Sequence, residues 1–116
     1  MMMTMPATPS MILQVLVSKS EHGWEAHCLH MDIVTEAADE NSVVNDICDL
    51  IVAQLKFARD TGDLTLAFRP APAESWQKLA TARPSGKTRE LCLEGRSEHV
   101  DAPTFAIQEL VADAAA

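Results

Sequence analysis

The spacing of apolar residues changes along the first half of the chain and divides it into predicted elements. The apolar run from Met11 to Ser18 predicts a strand, which ends at the turn residues Glu21-His22-Gly23. Residues Trp24 to Leu29 alternate between apolar and polar side chains, which predicts a second strand. The β-branched residues that open the segment Asp32 to Ala37 predict a third. These segments together predict a three-stranded antiparallel meander.

The apolar period lengthens to that of an α-helix after the third strand. Asp39 is placed to cap this helix and Gly62 to end it, so the predicted helix runs from about Glu40 to Asp60. At about 100° per residue, one arc of the helix is apolar and is expected to face the sheet. Its members are Val44, Ile47, Cys48, Ile51, Leu55 and Ala58.

A second apolar stripe repeats every seven residues beside this arc and contains Val43, Leu50 and Phe57. The apolar surface of the helix is therefore wider than one contact with a sheet requires. Two covers fit the pattern: the segment around Trp76 in the same chain, or a second subunit. In the second case the stripe is a partner-binding surface of a homo-oligomer.

The second half of the chain predicts shorter elements. Pro72 is placed to open a short helix that runs to about Thr81, and Pro84-Ser85-Gly86 predicts a loop. Thr88 to Leu93 alternates and predicts a strand, and the polar segment Arg96 to Ala102 predicts another loop. Residues 104–113 fit either a helix or a strand, and we favour a strand that pairs with residues 88–93.

Length and composition agree with a single domain. A chain of 116 residues with 47% hydrophobic residues is enough for one core, and residues 1–10 carry two prolines and no periodicity. We therefore expect a disordered leader at 1–10 and one α+β domain with a C-terminal extension at 11–116. The fold class is α+β: a three-stranded antiparallel meander plus a long helix, with a fourth strand and a short second helix.

Charge narrows the class of partner. The net charge is −8, and a surface this acidic repels phosphate backbones, so direct nucleic-acid binding is not expected. A basic protein is the better candidate partner, because electrostatic potentials of opposite sign speed the association of two proteins. No apolar run reaches the roughly 18 residues that span a bilayer, and the start has no basic signal region, so we expect a cytoplasmic protein without a membrane partner.

Two sets of residues are of types that carry out chemistry in other proteins. A two-metal nuclease needs converging carboxylates, yet the first strand has none, and the acids on the next segments are Glu25, Asp32 and Glu36. His27-Cys28-Leu29-His30 contains metal-ligand types, but His27 and Cys28 point to opposite faces of a strand. We therefore predict no enzyme activity, no metal and no cofactor.

The cysteines and the basic residues are assigned structural roles. Cys28, Cys48 and Cys92 are odd in number and not closely paired, so they are expected to be free, small apolar side chains. Lys87 and Arg89, with Arg83, form either a small basic patch for nucleic acid or, as we favour, a solvated strand edge that discourages pairing between sheets.

The stretch from Val15 to Phe57 resembles the HicB-like family of small antitoxin-type domains. The features that match are a strand ending in a turn before Gly23-Trp24, the segment Ala26 to Val34, and the amphipathic helix that follows. The later run Phe68 to Trp76 looks like an extension seen in some members. The resemblance implies a partial ribonuclease-H-like fold, with three antiparallel strands, a helix and a fourth strand beside the first.

The resemblance also implies a function. Its best known members bind and inhibit a small basic mRNA-cleaving toxin, and many carry a C-terminal DNA-binding element. Residues 77–116 show no paired basic helices, so we expect no DNA-binding role here. We predict a non-catalytic binding module whose partner is such a toxin. The alternatives are an orphan ribonuclease-H-like domain that binds RNA or a small ligand, and a structural oligomer. The partner-binding residues that we predict are Val43, Leu50, Phe57, Glu25 and Asp32.

Overall fold

The computed structural model of the chain describes residues 11–91, 93 and 105–112. The predicted leader, Cys92 and the predicted loop at 96–102 lie outside these residues. Five strands form one mixed sheet in the described part of the chain: β1 Met11–Ser20, β2 Gly23–Cys28, β3 Ile33–Ala37, β4 Arg83–Leu91 and β5 Phe105–Val111. Their order across the sheet is β3-β2-β1-β5-β4. The fold class is thus α+β, as predicted.

The meander is formed as the apolar pattern predicts. β2 pairs antiparallel with β1 and with β3, and Val17 lies opposite Ala26 in the first of these pairs. The alternation along β2 places Ala26 and Cys28 on the buried face that carries the main core. β1 is a central strand, because it has β2 on one side and β5 on the other.

Helix α1 spans Glu40–Thr61, and both of its predicted ends are confirmed. The Asp39 carboxylate accepts a hydrogen bond of 2.8 Å from the backbone N–H of Ser42, which satisfies one of the free donors of the first turn. Gly62 ends the helix in the left-handed region at φ 93°, where a glycine carries no side-chain penalty. All six residues of the predicted sheet-facing arc are buried.

Two short helical pieces lead back to the sheet. Residues Leu64–Ala67 form a 3-10 turn that packs against α1. Helix α2 spans Ala73–Gln77, with Pro72 before its first residue, and continues as a 3-10 turn over Lys78–Ala80. The helix predicted from Pro72 to Thr81 is therefore present, although its second half is 3-10.

The predicted fold class names a three-stranded meander and a fourth strand, whereas the described residues form five strands, including the favoured strand over 104–113. The strand over 104–113 pairs antiparallel with β4, as predicted, but it also pairs parallel with β1. β5 is apolar on both faces, which suits a strand with neighbours on both sides. β4 is mostly exposed and carries charged residues, which suits an edge strand.

The predicted loop at Pro84-Ser85-Gly86 is also corrected. These residues lie within β4, where the pairing with β5 shifts register between Pro84 and Thr88. Gly86 has φ 81°, a left-handed value that favours glycine and that accompanies an irregularity in a strand. The turn-forming residues therefore bend the strand instead of ending it.

The main core lies between α1 and one face of the sheet. Helix α1 packs over β2 and β3, and its buried side chains meet Leu13, Val15 and Val17 of β1. One helix is about 10 Å wide and strands are about 4.8 Å apart, so α1 alone does not cover five strands. The part of this face over β4 is where the cleft described below opens.

Candidate functional site

Two acidic residues lie directly opposite each other on the sheet face that points away from α1. Glu25 of β2 and Glu36 of β3 are register partners in the antiparallel pair. Like charges in this position repel and destabilise the pair of strands. We call Glu25, Asp32 and Glu36 the acidic face, because Asp32 joins the two strands at the end of the same face.

The side chain of Asp32 is hydrogen-bonded to a histidine of β2. Its Oδ1 lies 2.8 Å from Nε2 of His27, so the carboxylate accepts a hydrogen bond from the imidazole. The backbone of Asp32 has φ 53°, a left-handed value that is uncommon for a residue with a side chain. The pairing therefore fixes both the turn between β2 and β3 and the direction of the Asp32 carboxylate.

The second stripe of α1 is only partly on the surface. Leu50 is 44% exposed and Phe57 is 67% exposed, whereas Val43 is fully buried in the main core. Val43 precedes Ile47 by four residues and shares its face of the helix, so it points at the sheet. Val43 is thus corrected from a partner-binding residue to a core residue, and we call Leu50 and Phe57 the exposed stripe.

The segment around Trp76 does not cover the exposed stripe. The indole of Trp76 instead meets the His30 ring edge-on, with ring centroids 5.1 Å apart. Burial lowers the pKa of His30, and its Nδ1 accepts a long hydrogen bond of 3.5 Å from the backbone N–H of Gln14. The predicted cover within the chain is therefore wrong for Leu50 and Phe57.

The predicted partner-binding residues do not form one surface. Glu25 and Asp32 lie on the sheet face away from α1, whereas Leu50 and Phe57 lie on α1 itself, on the other side of the sheet. A single small partner cannot cover both sets. They are two separate candidate surfaces, one acidic and one apolar.

A cleft that the sequence reasoning missed opens between the start of α1 and strand β4. Its volume is about 520 Å³, a size typical of small-molecule sites. We call it the Glu109 cleft. Its lining residues are Asp39, Glu40, Asn41, Val44, Lys87, Thr88, Arg89, Ile107 and Glu109.

Glu109 is the unusual residue in this cleft. It is 3% exposed, and its Oε2 is buried without a hydrogen-bond partner among the described residues. Burial raises the pKa of Glu109, and the nearby carboxylate of Glu40 raises it further, whereas Ser85 and Lys87 act in the opposite direction. An unpaired buried carboxylate costs free energy, so this position needs an explanation.

The local fold explains how Glu109 reaches the cleft. Ile107 and Glu109 are two residues apart on β5, so both point to the α1 side of the sheet. Ser85 in the irregular part of β4 donates a hydrogen bond of 3.2 Å to the carbonyl of Glu109 and ties the two strands together there. The sequence did contain a signal for this site. Ile107, Glu109 and Val111 share one face of the strand, and Glu109 is the charged residue between two apolar ones.

Arg89 forms the far wall of the cleft. One of its Nη1 hydrogens bonds to Oδ1 of Asn45 on α1 at 2.6 Å. A second hollow of about 350 Å³ lies beyond Arg89 along α1, and its lining residues include Cys48 and Lys56. Lys87 and Arg89 thus lie on the edge strand, as predicted, and both face the groove beside α1.

The histidines and cysteines are held apart by the strands and the helix. Within the described residues no group of three or more His, Cys, Asp or Glu side chains is placed to hold a metal ion. Burial raises the pKa of the Cys28 thiol to about 11, and it also raises the pKa of Cys48, where Arg89 acts in the opposite direction. A thiol held protonated in this way is a poor nucleophile and a poor ligand.

Compared with models of protein families, with curated proteins and with solved structures, the chain matches none of them. Among the described residues there is also no helix that combines the length and the apolar character needed to cross a membrane. What the two surfaces and the cleft can do therefore follows from their own geometry.

Proposed function

We propose that this chain is a non-catalytic, HicB-like protein-binding module whose partner is a small basic protein, an mRNA-cleaving toxin. The observation that carries the proposal is the place of β5, which pairs parallel with β1 after the meander and α1. The resemblance implies a strand beside the first strand in this order. β4 is then an addition at the edge of that arrangement.

The charge of the chain supports a basic partner. The net charge is −8, and Glu25 and Glu36 are register partners on the sheet face away from α1, where Glu36 is exposed and Glu25 is half-buried. Their repulsion is a cost in the free chain that a lysine or arginine of a partner removes. The acidic face is therefore the surface that we assign to the toxin.

An apolar side chain completes this surface. Val34 is 50% exposed. It precedes Glu36 by two residues on β3, so the two side chains lie on the same face of the sheet. Protein interfaces commonly combine an apolar centre with a polar rim. Val34 supplies the apolar contact, and the acidic face supplies the charge that selects the partner.

The exposed stripe supports self-association as a second contact. Leu50 and Phe57 leave large apolar side chains in solvent on α1, on the opposite side of the sheet from the acidic face. A homo-oligomer that buries this stripe keeps the acidic face free for the toxin. The two contacts are independent, so each has its own test.

The test of the proposal has two steps: the reading frames next to this one are searched for a short basic protein, and any such protein is titrated against this chain by calorimetry. The double variant Glu25→Lys/Glu36→Lys is compared with Asp46→Lys/Asp49→Lys, which changes the net charge equally but on exposed positions of α1. We expect binding to weaken with salt and to be lost only in the first variant. Equal binding by both variants, or no binding by the parent chain, contradicts the proposal.

A further inference from the structure

We propose that the Glu109 cleft binds a small zwitterion, such as a free α-amino acid, with its ammonium group at Glu109 and its carboxylate at Lys87 and Arg89. This inference is independent of the proposed toxin partner. The cleft opens on the α1 side of the sheet, whereas the acidic face lies on the other side. Either function can therefore fail without the other.

The ammonium end follows from the state of Glu109. A buried acceptor without a partner is rare in folded proteins, because leaving it unpaired costs the full desolvation of the group. Oε2 of Glu109 is such an acceptor, and Glu40 brings a second carboxylate close to it. A ligand ammonium placed between these carboxylates donates to Oε2 and relieves the repulsion between them.

The position of the ligand's carboxylate follows from the wall of the cleft that β4 forms. Lys87 and Arg89 both line the cleft from β4, and Lys87 is close enough to Glu109 to lower the pKa of its carboxyl group. Arg89 uses one nitrogen on Asn45, and its planar group has further N–H donors for a carboxylate. The cleft thus presents charges of both signs: carboxylates at Glu40 and Glu109, and cationic groups on β4.

The remaining walls exclude other ligand chemistries. Val44 and Ile107 give the cleft an apolar floor, which suits the carbon skeleton of an organic molecule. A bare divalent cation is repelled by Lys87 and Arg89, and a phosphate is repelled by Glu40 and Glu109. A molecule that carries one charge of each sign satisfies both walls.

Asp39, the residue that caps α1, also borders the cleft. The carboxylate of Asp39 lines the cleft but already accepts hydrogen bonds from the backbone N–H and the hydroxyl of Ser42. The Asp39 carboxylate is therefore already engaged within the chain. The charges that stay directed at a ligand are those of Glu40, Glu109 and β4.

The experiment is a titration of the isotope-labelled protein followed by amide NMR shifts. The probes are single L-α-amino acids, butylamine and butyrate, each raised to about 10 mM because small ligands commonly bind in the millimolar range. We expect at least one amino acid to shift the amides of residues 39–41, 87–89 and 109. We expect the amine alone and the carboxylate alone to bind about tenfold more weakly, since each loses one charged hydrogen bond.

Variants separate a specific site from a general effect. Glu109→Gln keeps the shape and removes the charge, and we expect about tenfold weaker binding. Lys87→Gln, on an exposed position, tests the other wall if the first variant does not fold, and Glu21→Gln in the turn before β2 is the control. No shift with any amino acid, equal binding by the single-charge probes, or unchanged affinity in both cleft variants overturns the proposal.

Discussion

Nε2 of His27 and Oδ1 of Asp32 lie 2.8 Å apart and connect the end of β2 to the turn that leads into β3. The pair joins an alternating strand position to a residue with left-handed backbone geometry at φ 53°. Two features of the chain, a side-chain contact and a backbone cost, thus meet at one residue. They can be separated by substitution.

We expect the variant Asp32→Ala to be less stable than Asp32→Gly by about 1 kcal/mol, because alanine carries the penalty of the left-handed region and glycine does not. Both variants lose the contact with His27 equally. Urea unfolding of the two proteins measures the difference. Equal free energies of unfolding would show that the backbone at this turn relaxes to an ordinary conformation.

Replacing Glu109 by glutamine should stabilise the protein at neutral pH, because burial and the Glu40 carboxylate disfavour the charged form of Glu109 more than Ser85 and Lys87 favour it. Burial and Glu40 raise the pKa of Glu109, so the folded state binds more protons than the unfolded state above the ordinary value. The stability of the parent chain therefore falls as pH rises through that window.

The advantage of Glu109→Gln should consequently be small near pH 4 and grow toward pH 7, values that bracket the ordinary glutamate pKa of about 4.3. The other charged groups of the cleft, Asp39, Glu40, Lys87 and Arg89, are unchanged by the substitution. Urea midpoints at several pH values follow the difference, with Glu21→Gln as the exposed control. An advantage that is constant with pH would mean that Glu109 has an ordinary pKa in the folded state.

Cys28 and Cys48 should resist alkylation while the protein is folded. Burial raises the pKa of Cys28 to about 11. It also raises the pKa of Cys48, where Arg89 acts in the opposite direction. The thiolate is the reactive form, so iodoacetamide near pH 8 should label Cys28 most slowly. Peptide mass analysis before and after urea unfolding measures this, and rapid labelling of Cys28 in the folded protein would be the opposite result.

A charge in the exposed stripe should convert an oligomer to a monomer. Leu50 is 44% exposed on α1, so Leu50→Glu changes a surface position without opening a cavity in the core. The control is Gln54→Glu, because Gln54 is an exposed polar position of the same helix. Light scattering at several concentrations reports the mass, and an unchanged mass in Leu50→Glu removes self-association through this stripe.

Much of the fold follows from local pattern. Alternation in Trp24 to Leu29 and the 3.6-residue period after Asp39 are set by which side chains each element buries, so they are visible in sequence. The position of β5 between β1 and β4 is not local, because any strand with two apolar faces fits several places in a sheet. Its parallel partner became clear only from the pairing of Leu13 with Ile107.

The candidate sites divide in the same way. Alternation along β2 and the turn before β3 predict the positions of Glu25 and Asp32, and the structure places both on the sheet side away from α1; their role in binding stays a prediction. Val43 was misassigned, since seven-residue spacing grouped it with Leu50 although its neighbour Ile47 shares its side of the helix. The Glu109 cleft depends on α1 and β4 meeting across nearly 50 residues, which no local window contains.

The most direct test of the central proposal is to produce a small basic protein encoded in a reading frame next to this one and to measure its cleavage of an mRNA while this chain is added. The absence of any such reading frame would contradict the proposal. We expect cleavage to fall to background at a stoichiometric amount of the chain and to be restored by the substitutions Glu25→Lys/Glu36→Lys. Cleavage that continues at an excess of the folded chain, or RNA cleavage by the chain alone, would contradict a non-catalytic module that binds and inhibits a toxin.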